Sequence, residues 1–242
     1  MQHIDEVLSI VDKNSLYAKL SKCEFGMEEI LYLGHKISAQ GVRVDEEKIE
    51  AIRSWPRPKT LTQLRGFLGL CSYYRRFVKG FSKLTASLTN LTKKGAFSWN
   101  EEAQRAFETL KEVMSSCPVL AILDFSSPFE LCCNASGEGI GAVLTQHKHP
   151  IAFESRKLKN IEQTYSVYDK EMLAIMHALE KFRQYLICGK FIVKIDHNSL
   201  RFFLSQKDLN DRQQKWVSKL QSYDFDIEYM KGKNNIVAHA LS

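Results

Sequence analysis

Apolar residues recur at helical spacing at the start of the chain (Ile4, Val7, Leu8, Val11), so it opens in a helix. Two strand-like runs follow, Leu20 to Phe25 and Ile30 to Ile37, parted by Gly26-Met27-Glu28-Glu29 and closed by a turn at Gln40-Gly41. A pair of strands buries little by itself and needs neighbours to cover it. The pattern then turns helical. Asp45 caps a helix carrying Ile49 and Ile52, which stops at Trp55-Pro56-Arg57-Pro58. Thr60 with Gln63 forms a capping box ahead of the stripe Leu61, Leu64, Leu68 and Cys71, which runs on towards Phe77 or Val78. A shorter helix after Phe81 carries Leu84, Leu88 and Leu91, and Asn100 caps another with Ala103, Ala106, Phe107, Leu110, Val113 and Met114. Cys117-Pro118 ends it.

The period changes to two at Phe129. Phe129, Leu131 and Cys133 alternate with Glu130, Cys132 and Asn134, so Asn134 leaves a strand on the face opposite Phe129. Ser136-Gly137-Glu138-Gly139 turns the chain into a second apolar run, Ile140 to Leu144, and Ile151 to Phe153 is a third strand. Asn134 reads either as a residue that closes this turn or as a polar group presented at a strand end. Ser166 caps a long helix whose buried stripe is Tyr168, Met172, Ile175, Leu179, Phe182 and Leu186, with Gly189 stopping it. Glu171 lies beside that stripe, a poor place for a solvent-facing acid. Phe191 to Ile195 is a fourth strand ending in Asp196, which is either a cap for a helix from Asn198 or Ser199 or a site carboxylate. Helical segments over 199–204 and 212–220, a strand with Phe225, Ile227 and Tyr229, a turn at 231–234 and a helix from Ile236 complete the chain. Three strands, a long helix, a strand, helices, a strand and a helix is the order of a three-layer α/β domain with a mixed five-stranded sheet.

Composition narrows the class. The chain has 242 residues, 44% of them hydrophobic, enough for a packed core in one large or two smaller domains. Its six cysteines (Cys23, Cys71, Cys117, Cys132, Cys133, Cys188) include no C-x-x-C, and the vicinal pair in a strand points to opposite faces, so neither zinc nor a disulfide framework is expected. That usage, with no long apolar run and no signal or transit peptide, predicts a soluble intracellular protein. The net charge of +6 is uneven: Arg57, Lys59, Arg65, Arg75, Arg76, Lys79, Lys83, Lys93 and Lys94 occur in one stretch without an Asp or Glu. The stretch reads either as a solvated face or as a phosphate-binding surface. The interleaved aromatics Phe67, Tyr73, Tyr74, Phe77 and Phe81 favour nucleic acid.

Several motifs carry a family resemblance: Tyr32-Leu33-Gly34-His35, Leu64-Arg65-Gly66-Phe67-Leu68-Gly69-Leu70, Tyr73-Tyr74-Arg75-Arg76-Phe77, Tyr168-Asp169-Lys170-Glu171, Asp196-His197, and the run from Gly232 to Ser242. From Leu16 to Ser242 the sequence resembles the Pol polyprotein of gypsy-class LTR retrotransposons: the end of the reverse transcriptase palm, the thumb and the RNase H domain. The resemblance implies an incomplete palm end over 1–44 (helix and hairpin), a helical thumb-like module over 45–117, a linker over 118–128 and an RNase H-like domain over 129–242; the helical module and the RNase H-like domain are expected to be separable. It also implies four metal ligands holding two Mg²⁺ ions, carboxylates in the family, at Asn134, Glu171, Asp196 and His239. Glu171 and Asp196 match; Asn134 and His239 stand where the family has aspartate. No adjacent Asp-Asp pair occurs, so no polymerase site is expected in this stretch.

The resemblance thus implies a partner, RNA–DNA hybrid or duplex nucleic acid bound without sequence preference by Arg57, Lys59, Arg65, Arg75, Arg76, Lys79 and Lys83. Changing Arg75, Arg76 and Lys79 together is expected to flatten the salt dependence of that binding by up to about 3 units. It implies weakened Mg²⁺ binding and impaired RNA-strand cleavage. The alternatives are a still-active Mg²⁺-dependent RNase H and a decayed reading frame.

Overall fold

The computed structural model describes residues 2–195 and 208–229. Helix α1 spans Gln2–Lys13, and a single 3₁₀ turn covers Leu20–Lys22. Strands β1 (Glu29–Tyr32), β2 (His35–Ser38) and β3 (Gly41–Val44) form an antiparallel meander in that order. This corrects the expected hairpin: Leu20 to Phe25 is not a strand, and Ile30 to Ile37 is itself the hairpin. The chain reverses at Leu33-Gly34, both at positive φ (50° and 74°), which is the two-residue turn that best matches strand twist. No residue from 3 to 40 is buried.

β3 is anchored differently. Val42 and Leu120 exchange both backbone hydrogen bonds, at 2.8 Å each, so the segment after the helical module pairs with the N-terminal sheet. Gly41 makes this approach possible: its φ is 135°, and a Cβ there would overlap the Leu120 carbonyl oxygen. Gly41→Ala is expected to cost about 1–3 kcal/mol through strain and the lost bridge, read as a lower urea midpoint at unchanged m. An unaltered midpoint would show that β3 moves away without penalty.

Helices α2 (Glu46–Arg53), α3 (Leu61–Tyr73), α4 (Phe81–Leu84), α5 (Ala86–Leu91) and α6 (Glu101–Ser115) form the helical module. Its caps are side chains read from the sequence: Asp45 accepts from Glu47 N, Thr60 from Gln63 N, and Asn100 from Ala103 N. The Gln63 side chain accepts from Lys59 N rather than Thr60 N, so the Thr60 box closes one residue early. The α3 stripe breaks after Tyr73 into a 3₁₀ turn, Arg75–Phe77, and the expected helix after Phe81 is two short ones broken at Thr85.

The second half is a five-stranded mixed sheet of β4 (Glu130–Ala135), β5 (Gly139–Gln146), β6 (His149–Lys157), β7 (Phe191–Ile195) and β8 (Phe225–Tyr229), in the order β6-β5-β4-β7-β8. β4, β7 and β8 run parallel, while β5 and β6 are antiparallel to their neighbours. Strand three is longer than Ile151 to Phe153 suggested. After α7 (Asn160–Gln163), helix α8 (Val167–Lys181) starts at Ser166, which accepts from Asp169 N; it ends sooner than expected, and Arg183–Leu186 is a separate turn, α9. Helix α10 is Asp211–Leu220. The helices expected over 199–204 and from Ile236 lie outside the described residues.

The two sheet faces belong to two cores. Leu131, Cys133, Ala142 and Leu144 pack with Met172, Ile175 and Leu179 of α8. Cys132, Val143 and Phe153 instead join Leu64, Phe67, Leu88, Phe107 and Leu110 of the helical module. The sheet is therefore the floor of the helical core as well as the wall of its own. Side chains of the helical module and of the sheet thus pack together across the boundary expected at 118–128.

Candidate functional site

Alternation along β4 fixes what its end presents. Leu131 and Cys133 point into the α8 core and Cys132 into the other, so Asn134 follows the Cys132 face as the sequence predicted. Burial pushes the Cys132 thiol up to about 11 and that of Cys133 well above its usual range, so the vicinal pair serves packing. Asn134 is 4% exposed and pairs in register with Gly141 of β5, which puts no side chain opposite it.

Glu171 comes to the same place from α8. It is also 4% exposed, and its Oε1 accepts a hydrogen bond from the Ala135 backbone N at 3.0 Å. The Glu171 carboxylate thus reaches the residue next to Asn134 at the end of β4. β7 lies beside β4 and runs parallel to it, pairing Cys132 with Lys194, so its last residue, Ile195, lies at the same end of the sheet. Asp196 and His239 lie outside the described residues.

The start of α8 is held from behind. Asp169 receives Arg212 Nη2 at 2.9 Å and Gln213 Nε2 at 3.2 Å, while the Arg212 guanidinium stacks 3.8 Å above the Tyr165 ring. This ties α10 to the turn of α8 that carries Glu171.

The basic stretch divides. Arg75 Nη2 donates to Glu154 Oε1 at 2.9 Å and to the Ser155 carbonyl at 2.7 Å, and His177 of α8 reaches the same Glu154 oxygen at 3.0 Å. Arg75 thus hooks the helical module over edge strand β6 to a carboxylate whose side chain is 10% exposed. Arg76 lies over Phe77, Arg57 over Trp99, and Arg65 donates to the Thr92 carbonyl. Partial burial lowers the pKa of Lys79 from its usual value. Lys59, Lys83, Lys93 and Lys94 are exposed. No local signal marked Glu154, because its partners lie at sequence separations of 79 and 23.

Arg75→Ala should destabilise the chain by about 1–3 kcal/mol, since it strips a charged donor from a nearly buried carboxylate. It should barely change the salt dependence of nucleic-acid binding. Equal stability with a flattened salt dependence would show instead that Arg75 serves phosphates.

Residues 124–223 match the family of the RNase H-like domain found in reverse transcriptase. The chain carries a reverse-transcriptase RNase H-like domain. With its preceding segments, this domain is homologous to retrotransposon Pol polyproteins. Over 246 residues the chain is 37% identical to the Pol polyprotein of transposon 297 from Drosophila melanogaster, covering 100% of this chain and 23% of that protein. It is 36% identical over 256 residues to that of transposon gypsy from the same organism, covering 100% and 25%. The chain thus spans about a quarter of the length of these curated relatives. Among solved structures, the fold around the RNase H-like domain matches a foamy viral protease-reverse transcriptase in complex with RNA/DNA hybrid, with a TM-score of 0.81 and 24% identity, over 96% of this chain and 33% of that one. A complex of the foamy viral enzyme with dsDNA matches with a TM-score of 0.81 and 23% identity, over 95% and 50%. Among the described residues no helix is long and apolar enough to cross a membrane.

Proposed function

We propose that this chain is a retroelement-derived module that binds RNA–DNA hybrid or duplex nucleic acid without sequence preference, and whose RNA-cleaving centre is impaired. What supports the reading is Asn134, a neutral amide buried at the end of β4, whose neighbour Ala135 donates to Glu171; by the sequence resemblance it stands where the RNase H-like family has aspartate. Two Mg²⁺ ions ~4 Å apart repel with roughly 16 kcal/mol at an effective dielectric of ~20, four times the unit-charge value. An amide oxygen offsets little of that, Mg²⁺ prefers charged hard oxygens, and an imidazole at position 239 suits other metals. The donor set does not fit a two-Mg²⁺ centre.

The division of labour follows. Residues 1–44 are a palm end, 45–117 a thumb-like module joined through 118–128, and 129–242 the RNase H-like domain. Arg57, Lys59, Arg65, Arg76, Lys79 and Lys83 supply phosphate contacts, while Arg75 holds the two modules in register. Binding energy then comes largely from counterion release, so log affinity falls with log salt by about 0.9 per phosphate neutralised. The test measures affinity for a labelled RNA–DNA hybrid across a salt series, with fragment release followed in Mg²⁺ and separately in Mn²⁺. Salt-sensitive binding without cleavage is expected. Robust Mg²⁺-dependent cleavage would return the chain to the active nucleases, and salt-insensitive or absent binding would reduce the basic stretch to a solvated face.

A further inference from the structure

The turn that follows Asn134 forms one wall of a cleft, and helix α4 with the start of α5 forms the other. The cleft holds about 290 Å³ and is lined by Ser82, Lys83, Ser136, Gly137, Glu138 and Lys157, with Ala86 and Gly139 completing it. That is near the lower end of small-ligand sites, about 300–1,000 Å³, and suits one phosphate with its sugar. Two cations distant in sequence converge here, Lys83 from the helical module and Lys157 from the last residue of β6. Both are exposed, and neither has an ion-pair partner among the described residues. By contrast, Arg75 and Arg156, close to them in sequence, are both committed to carboxylates, at 2.9 and 2.7 Å. Ser82 adds a hydroxyl, while the Ser136 hydroxyl is taken up in the turn, donating to the Gly139 carbonyl at 3.1 Å and receiving the Gly139 amide at 3.0 Å. A Cβ on Gly137 would meet no atom within 4 Å, so the wall is open to close approach by a backbone. Among the described residues, Glu138 is the one acid lining the cleft.

We propose that this cleft between the helical module and the β4–β5 turn seats one backbone phosphate of a bound nucleic acid, gripped from both sides by Lys83 and Lys157. The inference rests on the reading that the chain binds hybrid or duplex. Its particular content is that a lysine of the RNase H-like domain shares one phosphate with a lysine of the helical module, so that a bound strand is fixed beside Asn134.

The test uses the full chain and a labelled RNA–DNA hybrid. Lys83→Ala and Lys157→Ala should together reduce the salt slope by about 1 in all, since the two lysines share one phosphate; a combined loss near ~2 would mean two separate phosphates and overturn the shared seat. Glu138→Gln should act in the opposite sense and tighten binding several-fold, a gain that misfolding cannot imitate. Neutral methylphosphonate linkages throughout one strand of the hybrid should weaken binding to the unaltered chain, and weaken binding to the double lysine variant by less. If the unaltered chain does not bind hybrid, the duplex reading itself fails. If it binds, yet the double variant keeps both its slope and its full response to the neutral linkages, the cleft is overturned and the broader reading stands. Inorganic phosphate that competes no better than chloride at equal ionic strength supports a backbone phosphate. Strong competition by phosphate alone would mark the cleft as a free-anion site and overturn the proposal.

Discussion

Restoring Asn134→Asp and His239→Asp together is expected to raise RNA-strand cleavage with Mg²⁺ by at least about 100-fold, since partners merely hydrogen-bonded to metal ligands already command about 10–100-fold. Position decides how the gain divides. Asn134 sits buried at the end of β4, next to the backbone amide that Glu171 holds at 3.0 Å, so a carboxylate there would stand beside a second one already in place. Asn134→Asp alone should therefore recover most of the activity and His239→Asp alone little. Glu171→Gln in the double revertant should abolish it. A double revertant as silent as the parent would mean that loss of the ligand set is not what separates this chain from an active nuclease. Buried acids are costly without a counter-ion, so Asn134→Asp should also lower stability in the absence of divalent ions and regain it when they are added.

Phe153→Ala should produce the largest loss of stability, about 3–5 kcal/mol. Phe153 lies in β6 but packs into the core of the helical module, 7% exposed, beside Cys132 and Val143. Truncating it leaves a cavity where the two modules share their packing. Tryptophans report the two sides separately: Trp55 and Trp99 border the helical core, and Trp216 is buried in the α8 core. With Trp216→Phe in one background and Trp55→Phe with Trp99→Phe in the other, the parent should show coincident denaturant transitions. Phe153→Ala should split them, with the helical side melting first. A loss below about 1 kcal/mol with coincident transitions would show that the sheet is not a shared floor.

Local chemistry was legible in the sequence and long-range chemistry was not. Asp45, Thr60, Asn100 and Ser166 cap the helices the sequence assigned to them, because a cap is satisfied within three residues. Asn134 and Glu171 were found from strand period and from an acid beside an apolar stripe. The Leu33-Gly34 turn was missed although Gly34 marked it, since the apolar run on either side was read as one strand. The pairing of β3 with Leu120, the Arg75–Glu154–His177 contact and the arrival of Lys157 opposite Lys83 have no local signature at all. Each depends on two segments that fold separately and then meet.

β6 is an edge strand, and the hook from Arg75 has a bearing on solubility. An uncovered edge offers its backbone to any passing strand. Here the Ser155 carbonyl accepts from Arg75, and the Ser155 hydroxyl accepts from the Ser82 amide at 3.0 Å, so helices cover part of that edge. A fragment beginning near residue 118 would keep its sheet and its α8 core but lose this cover, and with it the cover over Phe153 and Val143. Such a fragment would fold and then self-associate through β6, so its appearance in the pellet would report an unguarded strand, and a helix or a charged residue supplied at that edge would return it to solution.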